Sequence, residues 1–591
     1  MKNLLNIEIL KIYQPIYPFF YKNRKLLLWD SIFIIMSSAM SIISPYILKI
    51  AIDDLHTYIS IKKLGFYSFL IIFMTFIHGI FRYKMRKTLI SLSRFFEYEL
   101  HNQLYKHILN LPQRFFNKVH TGDVMSKITN DVHAVRMAVG PAFMYTLNTI
   151  FTSIFAISMM ISINPFLTLL TLLPLPIMSF SGAKIGKTIR HYFSKVQETF
   201  GDLSIKTQES INGIREIKAF AREECEINEF NKLNEDYLNY NKKLIKAYAL
   251  MHPLFYFLIG LSILIILCIG GKFVIDKKIS LGSFVAFYSY LFLLAWPAIA
   301  IGWIINLIQR GTASMKRIKE LLDEIPINKS AGKSLIIKKY QQQEQLTLHI
   351  KNLSFKYNHN LVLKNINLII NSNQIIAITG STSSGKSTLL KQILRRYELQ
   401  NGSIFFNNIN INEISLIDWL KLIGYVPQDP ILFSDTIENN ITLGANNSIS
   451  IDYLDECLKI ACIDDEIAKM PEAIKTIIGE RGITLSGGQK QRISLARALA
   501  KMPLILLLDD PFSQIDIDTE FRIWKNLTKF QYSPIKIIVS QRLNSIQNAD
   551  IIYVIDNGNI VEYGSHESLV ANKSLYYQLL QKQIIEQKIK N

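Results

Sequence analysis

The 591-residue chain is 49% hydrophobic, has a mean hydropathy of +0.19 and carries a formal charge of +19. So apolar an average excludes a wholly soluble protein, and the length admits two or more large domains. A charge of this size would suggest nucleic acid in a soluble chain. Here Lys and Arg crowd the flanks of apolar runs, at Lys22, Arg24 and Lys25 and again at Arg82, Lys84, Arg86 and Lys87, which is the positive-inside pattern of membrane spans, so no nucleic-acid partner is expected.

Six runs can cross about 30 Å of hydrocarbon as helices. They lie near Leu26–Ala51, Leu64–Phe81, Ala138–Ile163, Phe166–Phe180, Pro253–Ile275 and Phe284–Ile308. The fourth is short and holds Pro174 and Pro176, so it is expected to lengthen into 181–186 as a kinked helix. The first run is long and no small-residue cleavage site follows it, so it reads as a retained anchor rather than a cleaved signal. Short links join the runs in pairs. By contrast, 82–137 and 181–252 are long, charged and poor in helix breakers, and each predicts a pair of helices that leave the membrane, turn and return. The four cysteines, Cys225, Cys268, Cys457 and Cys462, form no C-x-x-C, so neither a zinc site nor a disulfide framework is indicated. Among the spans Asp30 is the one clear intramembrane charge. Aromatics such as Phe255, Tyr256, Phe257, Phe287, Tyr288, Tyr290, Trp296 and Trp303 read as packing or interface anchors more readily than as a ligand pocket.

Residues 325–345, rich in Lys, Ser and Gln, read as a linker between a transmembrane domain at 1–324 and a soluble α/β domain at 346–591. In the soluble part, residues 380–387 read Gly380-Ser381-Thr382-Ser383-Ser384-Gly385-Lys386-Ser387, followed by Thr388. This is a phosphate-binding loop, whose small residues let backbone N–H groups converge on a β-phosphate at a helix N-terminus. Lys386 is placed to neutralise the β/γ oxygens and Ser387 to offer a hydroxyl to Mg²⁺, so ATP and Mg²⁺ are the expected cofactors. Farther on stand Leu485-Ser486-Gly487-Gly488-Gln489 and, after the apolar strand Leu504–Leu508, Asp509 and Asp510.

The phosphate loop together with Leu485–Gln489 resembles the nucleotide-binding domain of ATP-binding-cassette (ABC) proteins, and the likeness covers 346–580. It implies that Ser486, Gly487, Gly488 and Gln489 cap a nucleotide held by a second subunit, that Tyr357 stacks on adenine, and that Asp509 and Gln428 hold the metal. Gln428 also faces the attacking water. The loop Thr476–Gly482 resembles the one that marks exporters, and Phe115–Lys118 with Thr121–Val132, and Gln208–Phe220, resemble their transverse coupling helices. His566 reads as structural.

Two positions depart from the family pattern. The residue after Asp509 is usually glutamate, the base that polarises water, and here it is Asp510; the usual switch histidine is Gln541. Both departures weaken hydrolysis while leaving the phosphate cradle intact. They resemble the impaired half of heterodimeric exporters, although a homodimer with slow turnover fits the same residues. Thr171–Pro176, Gln208–Phe220, Trp296-Pro297 and Asp509–Ser513 resemble the MdlA-type multidrug-resistance-like half-transporters of bacteria. The resemblance implies a six-helix, all-α membrane domain fused to a P-loop ATPase domain. It also implies a bacterial inner-membrane location with both termini and the ATPase domain cytoplasmic, a second half-transporter as partner, and an amphipathic or drug-like cargo. A lipid or lipid-linked flippase, and a regulatory half with little hydrolysis of its own, remain open alternatives.

Overall fold

A computed structural model describes residues 12–55, 60–327, 345–357, 360–398, 401–445, 449–479, 485–530 and 535–590. The chain divides into two compact units, one of Met1–Leu109 with Val119–Ile325, the other of Asn110–Lys118 with Pro326–Asn591. The linker reading falls mostly on 328–344, outside the described residues, as do 480–482 of the exporter-type loop.

Six long helices build the first unit: α1 (Arg24–Leu55), α2 (Ile61–Ile108), α3 (Thr121–Ile163), α4 (Pro165–Asn212), α5 (Glu223–Ile275) and α6 (Leu281–Leu322), each with a stretch apolar enough to span a bilayer. Polar side chains set their starts. Ser60 accepts from the Lys63 N–H at the head of α2, and Asn164 accepts from the Leu167 N–H at 2.9 Å, with Pro165 in the first turn of α4 where no donor is missed. The expected kink in α4 is a turn at Leu173, immediately ahead of Pro174, where the proline lacks an N–H to continue the ladder. The head of α6 is capped from another helix: Asp53 of α1 accepts from the Gly282 N–H at 2.8 Å and the Ser280 hydroxyl at 2.7 Å. Only glycine fits there, because a Cβ on residue 282 would lie 2.1 Å from the Lys49 carbonyl oxygen.

Buried polar groups tie the helices in pairs. Asp131 of α3 accepts from Ser314 at 2.9 Å and from Arg317 Nε at 2.8 Å on α6, and Asp30 of α1 accepts from Thr88 of α2. Asp30 is fully buried, so the intramembrane charge noted in the sequence belongs to helix packing. The second long connector ends α4 at Asn212, turns at Gly213 and forms a short helix, Ile214–Ala219, with no buried residue, before α5 begins.

The second unit carries two sheets. Strands β1 (Thr347–Tyr357), β2 (Asn360–Asn371), β4 (Asn401–Phe406) and β5 (Ile409–Asn410) form an antiparallel sheet in the order β2-β1-β4-β5. The larger sheet runs β10-β9-β3-β8-β7-β6, from β3 (Gln374–Gly380), β6 (Ile423–Val426), β7 (Ile505–Asp509), β8 (Ile535–Val539), β9 (Ile551–Asp556) and β10 (Asn559–Gly564). Its strands pair in parallel except for the β9–β10 hairpin. Strands β7 and β8 are buried along their whole length, as expected of parallel strands covered on both faces. In such a sheet, side chains that meet a ligand cluster beyond the carboxyl ends of the strands, and β3, β7 and β8 are neighbours there. The segment 110–118 packs with this unit. Asn117 Nδ2 donates to the Tyr397 hydroxyl at 2.7 Å, the Asn110 carbonyl accepts from Ile327 N–H at 2.7 Å, and Phe115 is buried.

Candidate nucleotide site

At the end of β3 the chain turns through two glycines that no other residue replaces. Gly380 has φ +141° and Gly385 φ +105°, and a Cβ on Gly380 would sit 1.9 Å from the Ile555 carbonyl oxygen. The loop then opens helix α7 (Lys386–Ile393). A cleft of about 380 Å³ lies over it, lined by Val362, Thr382–Thr388, Gln428, Asp509, Asp510, Val539, Ser540 and Gln541. The structure thus brings together the phosphate loop, the glutamine after β6, the paired aspartates at the end of β7 and the glutamine after β8, four segments far apart in sequence.

Lys386 lies folded over its own loop. Its Nζ donates to the Ser381 carbonyl at 2.6 Å, the Gly380 carbonyl at 3.1 Å and the Ser384 hydroxyl at 3.3 Å. Burial holds its pKa below the usual lysine value, against the pull of Asp510 and Asp509. Ser387 donates to Asp509 Oδ1 at 2.8 Å. Burial raises the Asp509 pKa, with the Ser387 hydrogen bond and the Lys391 charge opposing it. A serine hydroxyl in contact with a carboxylate, with the Gln428 amide lining the same cleft, is a set of hard oxygen donors, and it fits Mg²⁺, which takes one or two protein ligands and completes its shell with phosphate and water.

Asp510 occupies a left-handed backbone position, φ 51°, fixed by its N–H donating to the Val539 carbonyl at 2.8 Å. Its carboxylate accepts from the Ser540 hydroxyl at 3.3 Å. Burial raises its pKa, and the Ser540 hydrogen bond and the Arg542 and Lys386 charges work the other way. Gln541 is exposed, and its side-chain oxygen lies 3.4 Å from the Thr382 hydroxyl across the cleft.

Other predicted residues stand outside the cleft lining. Ser381 donates to Asp556 Oδ1 at 2.7 Å, closing the loop onto β9. Tyr357 is packed edge-on against Phe355 and Tyr397, with ring centroids 4.9 and 5.3 Å away. Its hydroxyl is hydrogen-bonded to Thr388, and burial raises its pKa. Ser486 caps helix α8 (Gly487–Leu499): its hydroxyl oxygen accepts from the Gln489 N–H, while Gln489 Oε1 accepts from the Ser486 N–H at 2.9 Å, a reciprocal capping box. Gln489 Nε2 donates to Glu466 at 2.8 Å, so its side chain is engaged within its own subunit. Gly488 has no room for a side chain, since a Cβ would lie 2.7 Å from the Gln514 carbonyl oxygen. His566 faces the Tyr576 hydroxyl at 2.8 Å, a structural contact.

Sequence reasoning missed three groups. Ser540 holds Asp510, and Tyr425 on β6 reaches Asp509, its pKa pushed up to about 12 by burial and then by that carboxylate. Gln583 lies on the C-terminal helix α9 (Leu575–Lys590). Its Nε2 donates to the Gln541 carbonyl at 2.6 Å and its Oε1 accepts from the Leu543 N–H at 3.0 Å, so one amide grips the loop that carries Gln541. Only Ser540, next to the switch position, was near enough in sequence to suspect.

Comparison with known proteins agrees with this geometry. Residues 28–298 match the family model described as ABC transporter transmembrane region, and 363–513 the one described as ABC transporter. The multidrug resistance-like ATP-binding protein MdlA of Buchnera aphidicola subsp. Schizaphis graminum is 34% identical over 98% of this chain and 100% of its own. An ATP-dependent lipid A-core flippase of Syntrophus aciditrophicus is 32% identical over 94% and 92%. A bacterial Atm1-family ABC exporter solved with ATP bound shares the fold, with TM-score 0.75 and 23% identity over 95% of this chain and 98% of that one. The chain therefore belongs to the ABC exporters that fuse six membrane-spanning helices to an ATP-binding domain, and it is similar along nearly its whole length to the MdlA-like multidrug-resistance proteins.

Proposed function

We propose that this chain is one half of a heterodimeric exporter that moves amphipathic compounds across the bacterial inner membrane, with its two ATP sites unequal. The observation that carries the proposal is the pair Asp510 and Gln541, which line the cleft where a base and a cationic switch are called for. The phosphate loop and Lys386 bind ATP; Ser387, Asp509 and Gln428 would hold Mg²⁺, which when bound neutralises charge on the β- and γ-phosphates. Asp510 is one methylene shorter than glutamate, so its carboxylate is drawn back by about 1.5 Å, whereas a base needs to lie about 2.6–3.2 Å from the proton it takes. Gln541 offers a hydrogen bond but no positive charge to the developing anion. In this reading ATP stays bound and turns over slowly at the cleft described above, while Ser486, Gly487 and Gly488 complete the working site on the partner. The domain boundaries 1–324, 325–345 and 346–591, with the ATPase domain and both termini cytoplasmic, belong to the same proposal.

The test compares the chain purified alone with the chain co-expressed with its partner. Alone it is expected to bind ATP and hydrolyse it far more slowly than the pair. Rapid, cooperative turnover by the pure chain refutes the heterodimer reading.

A further inference from the structure

The exporter reading leaves the cargo open, and kinship does not fix it, since relatives of similar identity are named for multidrug resistance and for a lipid flippase. The membrane unit itself holds a chemical clue. A cavity of about 490 Å³ opens between α1, α2, α3 and α6, within the size range of small-molecule sites. One wall is hydroxylic and amidic. Ser38 of α1 donates to Asn148 Oδ1 of α3 at 3.3 Å and is met by the Thr152 hydroxyl at 3.3 Å, with Ser37 and Ser41 alongside. Another wall is apolar and aromatic, made by Met144 and Tyr145 of α3 and by Leu293, Trp296 and Pro297 of α6.

The third wall is basic, its permanent charges those of two arginines. His78, Arg82 and Arg86 follow one another at i, i+4 and i+8 along α2, so they stand one above the other on a single helix face, each step rising about 6 Å. Among the described residues no aspartate or glutamate lines the cavity. Neither arginine makes an ion pair among the described residues. Both also rim a shallower hollow with Tyr83 and Lys87, which leaves their guanidinium groups open to an incoming molecule.

The ordinary account of basic residues beside a span is interfacial anchoring, and it suits the lysines of the same stretch. Lys84 lies 5.9 Å from the Phe33 ring and Lys87 5.7 Å from the Tyr83 ring, away from the cavity. It does not account for the sorting, in which the residues that face the cavity are the two arginines and the histidine. Guanidinium is the cation whose planar fork matches phosphate and carboxylate with two parallel hydrogen bonds. Two exposed guanidinium groups without an ion-pair partner among the described residues, set beside an apolar wall, are free to meet the anionic head of a molecule whose tail lies along that wall.

We infer that this cavity selects amphiphiles with an anionic head, a phosphate, sulfate or carboxylate gripped by Arg82 and Arg86 with the tail laid along Trp296, Leu293 and Met144. The inference names the cargo class within the export function proposed above and rests on that reading.

Equilibrium dialysis tests it with the full-length chain and its partner half in nanodiscs of zwitterionic lipid, empty nanodiscs serving as blank. The probes are octyl phosphate, octyltrimethylammonium and inorganic phosphate. Octyl phosphate is expected to bind at least about 10- to 100-fold more tightly than octyltrimethylammonium, the range that a single charge-assisted pair supplies. Inorganic phosphate, lacking a tail, is expected not to displace it at equal concentration. In Arg82→Gln/Arg86→Gln the preference is expected to vanish while octyltrimethylammonium still binds, which shows the cavity folded, and Arg82→Lys/Arg86→Lys is expected to keep part of it. Equal affinity for the two octyl probes, a preference that survives the glutamine pair, or equal competition by inorganic phosphate each overturns the inference. ATP-driven uptake into proteoliposomes reports separately on export: uptake of the ammonium probe without preference sinks the anion inference alone, whereas a dialysis preference with no uptake of any probe sinks the export reading.

Discussion

Restoring Asp510→Glu together with Gln541→His is the most direct test of the unequal-site mechanism, because the surrounding backbone is held from several sides. The Asp510 N–H is fixed to the Val539 carbonyl, Arg542 donates to the Phe512 and Ser513 carbonyls at 3.0 and 2.6 Å, and Gln583 grips the Gln541 carbonyl. New side chains therefore change reach and charge without moving the loop. The extra methylene advances the carboxylate by about 1.5 Å, and misplacement of about 1 Å costs roughly a hundredfold, or about 2.7 kcal/mol of barrier. Asp510→Glu alone is expected to raise the rate about tenfold, because the γ-phosphate still faces a neutral amide, and Gln541→His alone by less. The double change is expected to exceed the product of the two, since water activation and charge stabilisation serve one transition state. ATP affinity is expected to stay put, because neither residue belongs to the phosphate loop. Single-turnover hydrolysis, with the partner's own base disabled, isolates the site. If the double variant binds ATP normally and stays as slow as the parent, these two residues are not the cause of impairment.

Three further outcomes follow from the same geometry. Ser486→Arg is expected to abolish turnover of the pair, whereas Lys386→Ala lowers it only in part; equal losses in steady-state ATPase assays argue for equivalent sites. Gln583→Ala removes two hydrogen bonds worth about 0.5–1.5 kcal/mol each from the switch loop. In the restored double variant it is expected to slow single-turnover hydrolysis several-fold with ATP binding unchanged, and no change in rate refutes the clamp. Lys536, buried on β8, has its pKa pushed down to about 8 by burial, with Asp550 opposing. Below that pH the folded chain holds a buried charge, and between about 8 and the unfolded lysine value near 10.4 the unfolded chain binds more protons, so this group's contribution to stability rises with pH across that window. Lys536→Met is accordingly expected to raise the thermal midpoint of the full-length chain at pH 7 by a few degrees and to gain less by pH 10; a gain that does not shrink points to packing instead.

Much of the molecule could be read from the sequence because its signals are local. A span declares itself by an unbroken apolar run, and the phosphate loop by small residues at fixed offsets, so α1–α6 and Gly380–Ser387 were legible without any partner in space. Pairings across long separations were not. Nothing near Gln541 in sequence announces Gln583, since the contact exists only because α9 returns to the end of β8. Asn117 lies in a segment that resembles part of a coupling helix, and its hydrogen bond to Tyr397 depends on where the strands put that tyrosine. The arginines of α2 were read by their position at the end of a span, a property of the helix axis, whereas their role depends on azimuth, which the i, i+4, i+8 spacing of His78, Arg82 and Arg86 encodes but does not aim.

The cap on α8 carries a consequence of its own. A serine hydroxyl has one proton and two lone pairs, and the cap uses a single lone pair to receive the Gln489 N–H. Among the described residues nothing accepts the proton, so Ser486 can donate outward without releasing the helix it begins. Recognition there needs no local unfolding and no exchange of one hydrogen bond for another: the hydroxyl that ends the helix is already a donor in waiting, and its direction is set by the fold before any ligand arrives. Threonine retains the cap and the donor, aspartate retains the cap but turns the outward face into an acceptor, and alanine loses both, so the position separates the stability of a helix from the chemistry at its tip.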